Sequence, residues 1–390
     1  MSVTFPKGFR ASGTAVGIKT SGDLDLAIVA STGDVPYVAV GTFTTNLAAA
    51  APVLVSKRNL DLGGGRASAV LASSGNANAA TGETGFAHAL ASAAALSVAL
   101  GCDPANVLVC STGLIGIALP VEKILEAIPR AVSNLAEDDA AGRLSAEALM
   151  TTDTFPKVAT FEIGGARFGG IAKGAAMISP NMATMLAIIT TDAVATRSNL
   201  QSALSEAVEQ SFNRITIDGC TSTNDSVIVL ASGASGVELV KRDLDAGIAA
   251  ICSSLANQIV FDAEGSTKLV RITVTGAVSD GDALKIARKV AESSLVKCSL
   301  FGADPYWGRV ISEVGSSGVA LDMDNVSVAY GQIVVYANAT ENSVDRESLA
   351  KVMASREIDL DICVGDREGR GTIVTADLTP AYIAENMRTS

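Results

Sequence analysis

The chain carries one histidine in 390 residues, His88. That excludes every mechanism needing two imidazoles, such as the H-E-x-x-H zinc proteases and carboxylate-bridged metal pairs with His ligands. A Ser-His-Asp triad would have to use His88, yet no serine sits in G-x-S-x-G. If the protein is a hydrolase or transferase, its base is something other than imidazole. Positive charge is also scarce: the formal net charge is −12 and no basic run reaches four residues. Nucleic acid and anionic membrane are therefore poor main partners, and small molecules fit better. The six cysteines (Cys102, Cys110, Cys220, Cys252, Cys298, Cys363) include no C-x-x-C pair. They read as reduced thiols of a cytoplasmic protein rather than a disulfide framework or a zinc site.

Other absences narrow the field further. The amino terminus MSVTFPKGFRASGTAVG has no continuous apolar core behind its positive residues and does not read as a secretory signal. The most apolar uncharged window, from Gly85 to Gly101, is mostly alanine and contains His88. It reads as a buried helix rather than a membrane span. There is no G-x-x-x-x-G-K-[ST], and neither Gly63-Gly64-Gly65 nor Gly369-Arg370-Gly371 continues as G-x-G-x-x-G. The match of Arg10 to Ala15 with R-x-x-G-x-A lacks a preceding strand and a following helix, so it counts as coincidence.

What is present is an alternation of helical and β-branched segments in a chain long enough, at about 150 residues per domain, for two or three domains. Strands are expected at Ala27 to Ala30, Val107 to Cys110, Val158 to Ile163, Met185 to Thr190, Val227 to Ala231, Leu269 to Thr275, Val326 to Tyr330 and Ile333 to Tyr336. Helical periodicity marks SNLQSALSEAVEQSF, with Ser198 as its expected cap, and also DALKIARKVAESSL and DLDAGIAAICSSLANQI. Short Gly-containing returns at Glu162 to Arg167 and Tyr330 to Gln332 favour antiparallel hairpins over a purely parallel sheet. Loops are expected at Ser133 to Ser145 and Ser279 to Asp282, and the tail from Glu357 reads strand, turn, strand, then a short helix from Pro380.

Four Gly-, Thr- and Asn-rich islands break these patterns: Ser74 to Asn78, Cys110 to Gly116, Gly169 to Leu186 and Asp218 to Asp225. Singly, each is ordinary turn chemistry. Together they suggest a site, and Thr112-Gly113 at a strand end could offer a hydroxyl and a backbone N–H to an oxyanion. The third island holds one lysine, Lys173, among small residues.

The run K-G-x-x-M-I-x-P-x-M-A-T-M-L from Lys173, followed by Thr190-Thr191-Asp192-Ala193, resembles the signature of the ornithine acetyltransferase family, also called glutamate N-acetyltransferase. The likeness spans the chain in family order. It includes S-G-N-A-N at Ser74, S-T-G-x-I-G at Ser111, M-T-T-D-T at Met150, D-G-C-T-S-T-N-D at Asp218, A-E-G-x-T-K at Ala263 and D-P-x-W-G-R-V at Asp304.

The resemblance implies a precursor that cuts itself at Ala183-Thr184 into fragments 1–183 and 184–390, freeing Thr184 as an amino-terminal nucleophile. A free α-amine, with a reference pKa of about 7.7 to 8.0, can serve as base for its own hydroxyl. Thr112 and Gly113 become the oxyanion stabilisers; Thr151, Lys173, Thr184, Glu264, Asn386 and Ser390 become substrate contacts. Thr389 is the alternative to Ser390, because the chain ends one residue short of the usual family pattern and lacks its tyrosine. Lys173 suits an α-carboxylate, and Glu264 an amine or a proton relay. The implied fold is mixed α/β, largely antiparallel sheets layered with helices in an αββα-like body, with a smaller second α/β domain from about residue 280.

The implied reaction moves acetyl from N2-acetylornithine to glutamate in arginine biosynthesis, with no metal or bound cofactor, in a protein whose fragments stay paired, commonly as a dimer of pairs. Acetyl-coenzyme A is a second donor in some members, and no coenzyme-A motif decides that choice. A related self-processing aminopeptidase or amidase, and an acidic Ala-rich scaffold without activity, are the competing readings.

Overall fold

The computed structural model describes residues 1–179 and 185–387. In chain order its strands are β1 Phe9–Thr14, β2 Leu26–Ser31, β3 Tyr37–Phe43, β4 Arg66–Ala67, β5 Ala69–Asn76, β6 Val107–Leu114, β7 Lys157–Ile163, β8 Ala166–Lys173, β9 Leu186–Thr191, β10 Ile215–Thr216, β11 Ser226–Ala231, β12 Leu269–Gly276, β13 Ser327–Tyr330, β14 Ile333–Ala337, β15 Thr340–Glu341, β16 Glu357–Cys363 and β17 Arg367–Ala376. The helices are α1 Ala51–Leu62, α2 Gly82–Leu100, α3 Val121–Ser133, α4 Asp139–Leu149, α5 Arg197–Gln210, α6 Lys241–Phe261, α7 Asp280–Ala291, α8 Ser294–Phe301, α9 Trp307–Gly315, α10 Arg346–Ala354 and α11 Pro380–Asn386. They fall into two compact units: Met1–Asn213 with Thr221–Ile259, and Arg214–Cys220 with residues from 260 onward.

The first unit is a four-layer body. One sheet has the order β1-β2-β5-β6 and the other β4-β3-β11-β9-β8-β7. Strand alternation sends Ala27 and Val29 of β2 into a core shared with Ile188 of β9 and Ile228 of β11. Leu26, Ile28 and Ala30 point the other way, onto Ala93 and Leu96 of α2 and Ile124 and Ile128 of α3. With both faces covered, β2, β9 and β11 are buried along their whole length, which is why they read as continuous apolar runs. Helices α5 and α6 cover the second sheet. A Cβ on Gly170 of β8 would come within 2.6 Å of Ile251 and 3.1 Å of Leu255 on α6, so only glycine permits that approach. Pairing is mostly antiparallel; among the described strands of this unit, β5–β6 and β9–β11 are the parallel pairs.

The second unit is built on one sheet, β10-β17-β12-β16-β13-β14-β15. One face packs on helices through Ile272, Ile358, Leu360 and Ile373 against Ile286, Val290, Val314 and Met353. The other face is polar: β16 alternates exposed and buried residues, and Arg271 bridges Glu357 at 3.0 Å and Asp359 at 3.7 Å.

All eight expected strands are present, and both Gly-containing returns close antiparallel hairpins. Three local expectations fail. The cap of α5 is Thr196, whose hydroxyl accepts from Asn199 N at 3.2 Å, and Ser198 lies inside the helix. The Ser133 to Ser145 segment is mostly helical: α3 runs through Ser133, α4 starts at Asp139, and Asp138 accepts from Ala141 N. Ser279, expected in a loop, caps α7 by accepting from Asp282 N at 3.1 Å and donating to the Asp282 carboxylate at 2.8 Å. The physical reason is common to all three, since Ser, Thr and Asp satisfy helix ends as readily as turns. The third island likewise hides a strand, because its Gly169 and Gly170 belong to β8.

Helices α2 and α6 have the length and apolarity of a membrane span. Each instead lies along a sheet, with Ala89, Ala93 and Leu96 of α2 and Ile251 and Leu255 of α6 turned inward. The six cysteines are all free, and burial pushes the thiols of Cys110 and Cys252 up to about 12.

Candidate active site

In the first unit, parts of all four islands come together. Strands β5 and β6 run parallel with Ser74 opposite Thr112 and Gly75 opposite Gly113, so the first two islands lie side by side. Gly113 has φ +127°, and a Cβ there would sit 2.3 Å from the Gly75 carbonyl carbon. Any other residue would be strained and would push the strands apart. The fourth island is tied in by a buried amide: Asn224 Nδ2 donates to Ala77 O at 2.6 Å and to Ser111 O at 2.9 Å. Ser111 Oγ also donates to Ala77 O at 2.6 Å.

Asp225 connects the third island. It is fully buried, and its Oδ1 accepts from the backbone N–H of Met185 at 3.0 Å. Its Oδ2 has no hydrogen-bond partner among the described residues. Burial pushes this carboxyl well above the usual carboxylate range, against the Met185 hydrogen bond and the Lys173 ammonium.

Lys173 ends β8 opposite Leu186 of β9 and is almost fully buried. Asp153 supports it. Burial alone would raise the Asp153 carboxyl, but Lys173 and Lys157 prevail and hold it below its ordinary value. Its Oδ1 accepts from Lys157 Nζ at 2.6 Å and from Gly174 N at 2.8 Å, and its Oδ2 accepts from Thr151 N at 2.9 Å. One buried carboxylate therefore fixes the backbone beside both Thr151 and Lys173. Thr151 and Gly113 line a common cavity of about 640 Å³, together with the 18–24 segment, Glu147 and Asp153.

Glu264 and Asn386 lie in the second unit and touch each other: Asn386 Nδ2 donates to Glu264 Oε2 at 2.8 Å. The short helix carrying Asn386 is capped by Thr379, which accepts from Tyr382 N at 3.1 Å and donates to Gly265 O at 2.7 Å. Ala183, Thr184, Thr389 and Ser390 lie outside the described residues. His88 is half-buried on α2 and does not line the cavity of Gly113 and Thr151.

Reading the sequence missed the organisers: Asp25, Asp153, Asn224 and Asp225. Three of them stand inside quoted motifs, and a carboxylate or amide in an otherwise small and uncharged run was the available signal. Asp25, next to the apolar strand β2, carried a weaker one.

The ArgJ family model matches residues 10–389. The arginine biosynthesis bifunctional protein ArgJ of Mycolicibacterium paratuberculosis is 45% identical, over 98% of this chain and 95% of its own length. This chain belongs to the ArgJ family. The Bifidobacterium longum ArgJ protein is 42% identical, with 99% of both chains covered. Among solved structures, the ornithine acetyltransferase of Mycobacterium tuberculosis complexed with ornithine is 41% identical, covering 46% of this chain and 94% of that one at a TM-score of 0.42. Family membership accounts for the order of the motifs; the described structure adds the contacts that join them.

Proposed function

We propose that this chain is the acetyltransferase of arginine biosynthesis that its family name denotes, moving acetyl from N2-acetylornithine to glutamate through an ester on Thr184. The observation that carries the reading is the convergence of the islands on Asn224 and Asp225 beside Gly113. Maturation begins when the Thr184 hydroxyl attacks the Ala183 carbonyl carbon. The peptide C–N bond breaks, freeing the Thr184 amine as an ester forms on its Oγ, and water hydrolyses that ester to a carboxylate on Ala183 and the Thr184 hydroxyl.

In turnover, that amine accepts the hydroxyl proton as Thr184 Oγ attacks the acetyl carbonyl of acetylornithine. Thr112 and the N–H of Gly113 receive the oxyanion. The C–N bond to ornithine breaks, and the departing amine takes the proton. Glutamate then attacks the ester through its own α-amine, and Thr184 Oγ leaves as the hydroxyl. Lys173 holds the α-carboxylate, with Thr151, Glu264, Asn386 and Ser390 or Thr389 as further contacts. Asp225, gripping the amide of Met185, positions the start of the second fragment. The scheme calls for no metal or bound cofactor. Acetyl-coenzyme A is an alternative acetyl donor, and the mature protein is a dimer of fragment pairs in the cytoplasm.

The test is incubation with acetylornithine, with and without glutamate. Glutamate-dependent ornithine release and an acetylated Thr184 trapped in its absence are expected. Glutamate-independent release would mean an amidase. Thr184→Ala should remain a single uncut chain with no transfer; two fragments from that variant would end the nucleophile assignment.

A further inference from the structure

The cavity beside Gly113 has a wall that the reaction scheme does not use. It is the 18–24 segment, and its shape is set from within. Asp25 is fully buried, and its carboxylate accepts from the amides of Val16 at 2.7 Å, Ile18 at 2.6 Å and Lys19 at 3.0 Å. A carboxylate holding three backbone N–H groups fixes a loop firmly. The loop rests on the oxyanion strand pair, since a Cβ on Gly75 would come within 3.1 Å of Lys19 Cγ, and Gly75 is the register partner of Gly113. Lys19 is thus one residue layer from the proposed oxyanion hole.

Its ammonium donates to Leu24 O at 2.6 Å. An ammonium has three protons to donate, and no other hydrogen bond of Lys19 Nζ is present among the described residues. Half-burial lowers the ammonium below its ordinary value, against the pull of Asp25, Asp23 and Asp153, with Lys173 close enough to act in the same direction as burial. Lys19, Asp23 and Glu147 give one cavity wall both signs of charge.

Two amino acids that share their α-carboxylate but differ in the sign of the side chain must use this site in turn, on the reading above. Building on that reading, we propose that Lys19 is the acceptor-specificity residue, its ammonium taking the γ-carboxylate of glutamate while Lys173 keeps the α-carboxylate common to both substrates. The same cation faces the δ-ammonium of ornithine unfavourably, so Lys19 speeds the exchange of ornithine for glutamate.

The test is Lys19→Met, which keeps the stem against Gly75 and removes the charge. The KM for glutamate should rise about tenfold to a hundredfold, the scale of one hydrogen bond to a charged group. Acetylation of Thr184 by acetylornithine should be unchanged or faster. Lys19→Arg should restore most glutamate affinity, and glutamine should lose its disadvantage against glutamate in the Met variant alone. Equal losses in both half-reactions, or an unchanged KM for glutamate, would overturn the assignment. Wild-type protein with glutamine and glutamate compared directly is a control independent of folding: equal use of the two overturns it as well. Absence of any wild-type transfer would instead bring down the underlying reading of the site, and this assignment with it.

Discussion

The two units spend their polar residues in opposite ways. In the second, charged side chains stand on the open face of a one-sided sheet, as Arg271 does with Glu357 and Asp359. In the first, both sheets are covered, yet Asp25, Asp153, Asp225, Asn224, Lys157 and Lys173 are all buried. Burying such groups is unfavourable unless each is satisfied or put to use. The contrast separates a unit that buries a network of charged and amide side chains from one that keeps most of its charges on an open sheet face.

The sharpest way to break the contrast is at its most crowded point. Gly113→Ala places a Cβ against the Gly75 carbonyl and forces the left-handed φ on alanine. Because it misplaces the N–H proposed to receive the oxyanion, kcat should fall by about 10² to 10³, the scale of one oxyanion donor. Steady-state kinetics on folded, processed protein measures it, and a loss under tenfold would remove Gly113 from the chemistry.

Next comes a matched pair of cations. Lys157→Met strips a fully buried partner from Asp153 and should destabilise the protein by about 3 to 5 kcal/mol. Arg271→Met removes an exposed partner of Glu357 and should change stability by less than about 1 kcal/mol. Denaturant titration of both variants compares the units directly, and equal effects would erase the distinction.

Lys297 is an exception in the second unit, a buried ammonium donating to Thr375 Oγ1 at 2.9 Å and to Ala376 O. Burial brings it down to about 8, despite nearby Asp377 and Asp218. An unfolded lysine titrates at about 10.4. Between these values the unfolded chain binds more protons, so Lys297 makes stability rise with pH across that window, whereas below about 8 its burial penalty is complete. Lys297→Met should flatten this rise in pH-dependent unfolding measurements, leaving the other groups' contributions in place.

The smallest effect is expected at His88→Gln, which should retain most turnover. A loss near 10³-fold with fold and processing intact would restore a histidine base.

Legibility followed the same division. The alternation of Glu357 to Cys363 and the β-branched run of β12 declare a half-buried sheet in letters alone. In the first unit, β1, with the sequence FRASGT, was not read as a strand, and β8, ARFGGIAK, was announced only by the Gly-containing return before it, because glycines and alanines that allow close packing carry little strand signal. The candidate site was legible as motifs, through resemblance, and not as geometry. Asn224 reaches Ser111 across 113 positions, and no local pattern encodes a contact of that span. The residues proposed to meet substrate were named from the sequence through the resemblance, whereas those that hold the loops together emerged only when the chain was folded.

The order of the second sheet, β4-β3-β11-β9-β8-β7, has a consequence for the mature protein. On the proposed cut, β9 and β11 belong to the later fragment, and both lie between β3 and β8 of the earlier one. The fragments are interleaved strand by strand, so cleavage releases an amine but no separable piece. Folding is then a single-chain event only before the cut. Once cut and denatured, the protein must reassemble two chains, and its recovery becomes dependent on concentration, while the uncut Thr184→Ala chain refolds alone. On that cut, the stability of the processed protein is governed by how slowly it unfolds rather than by how readily it refolds.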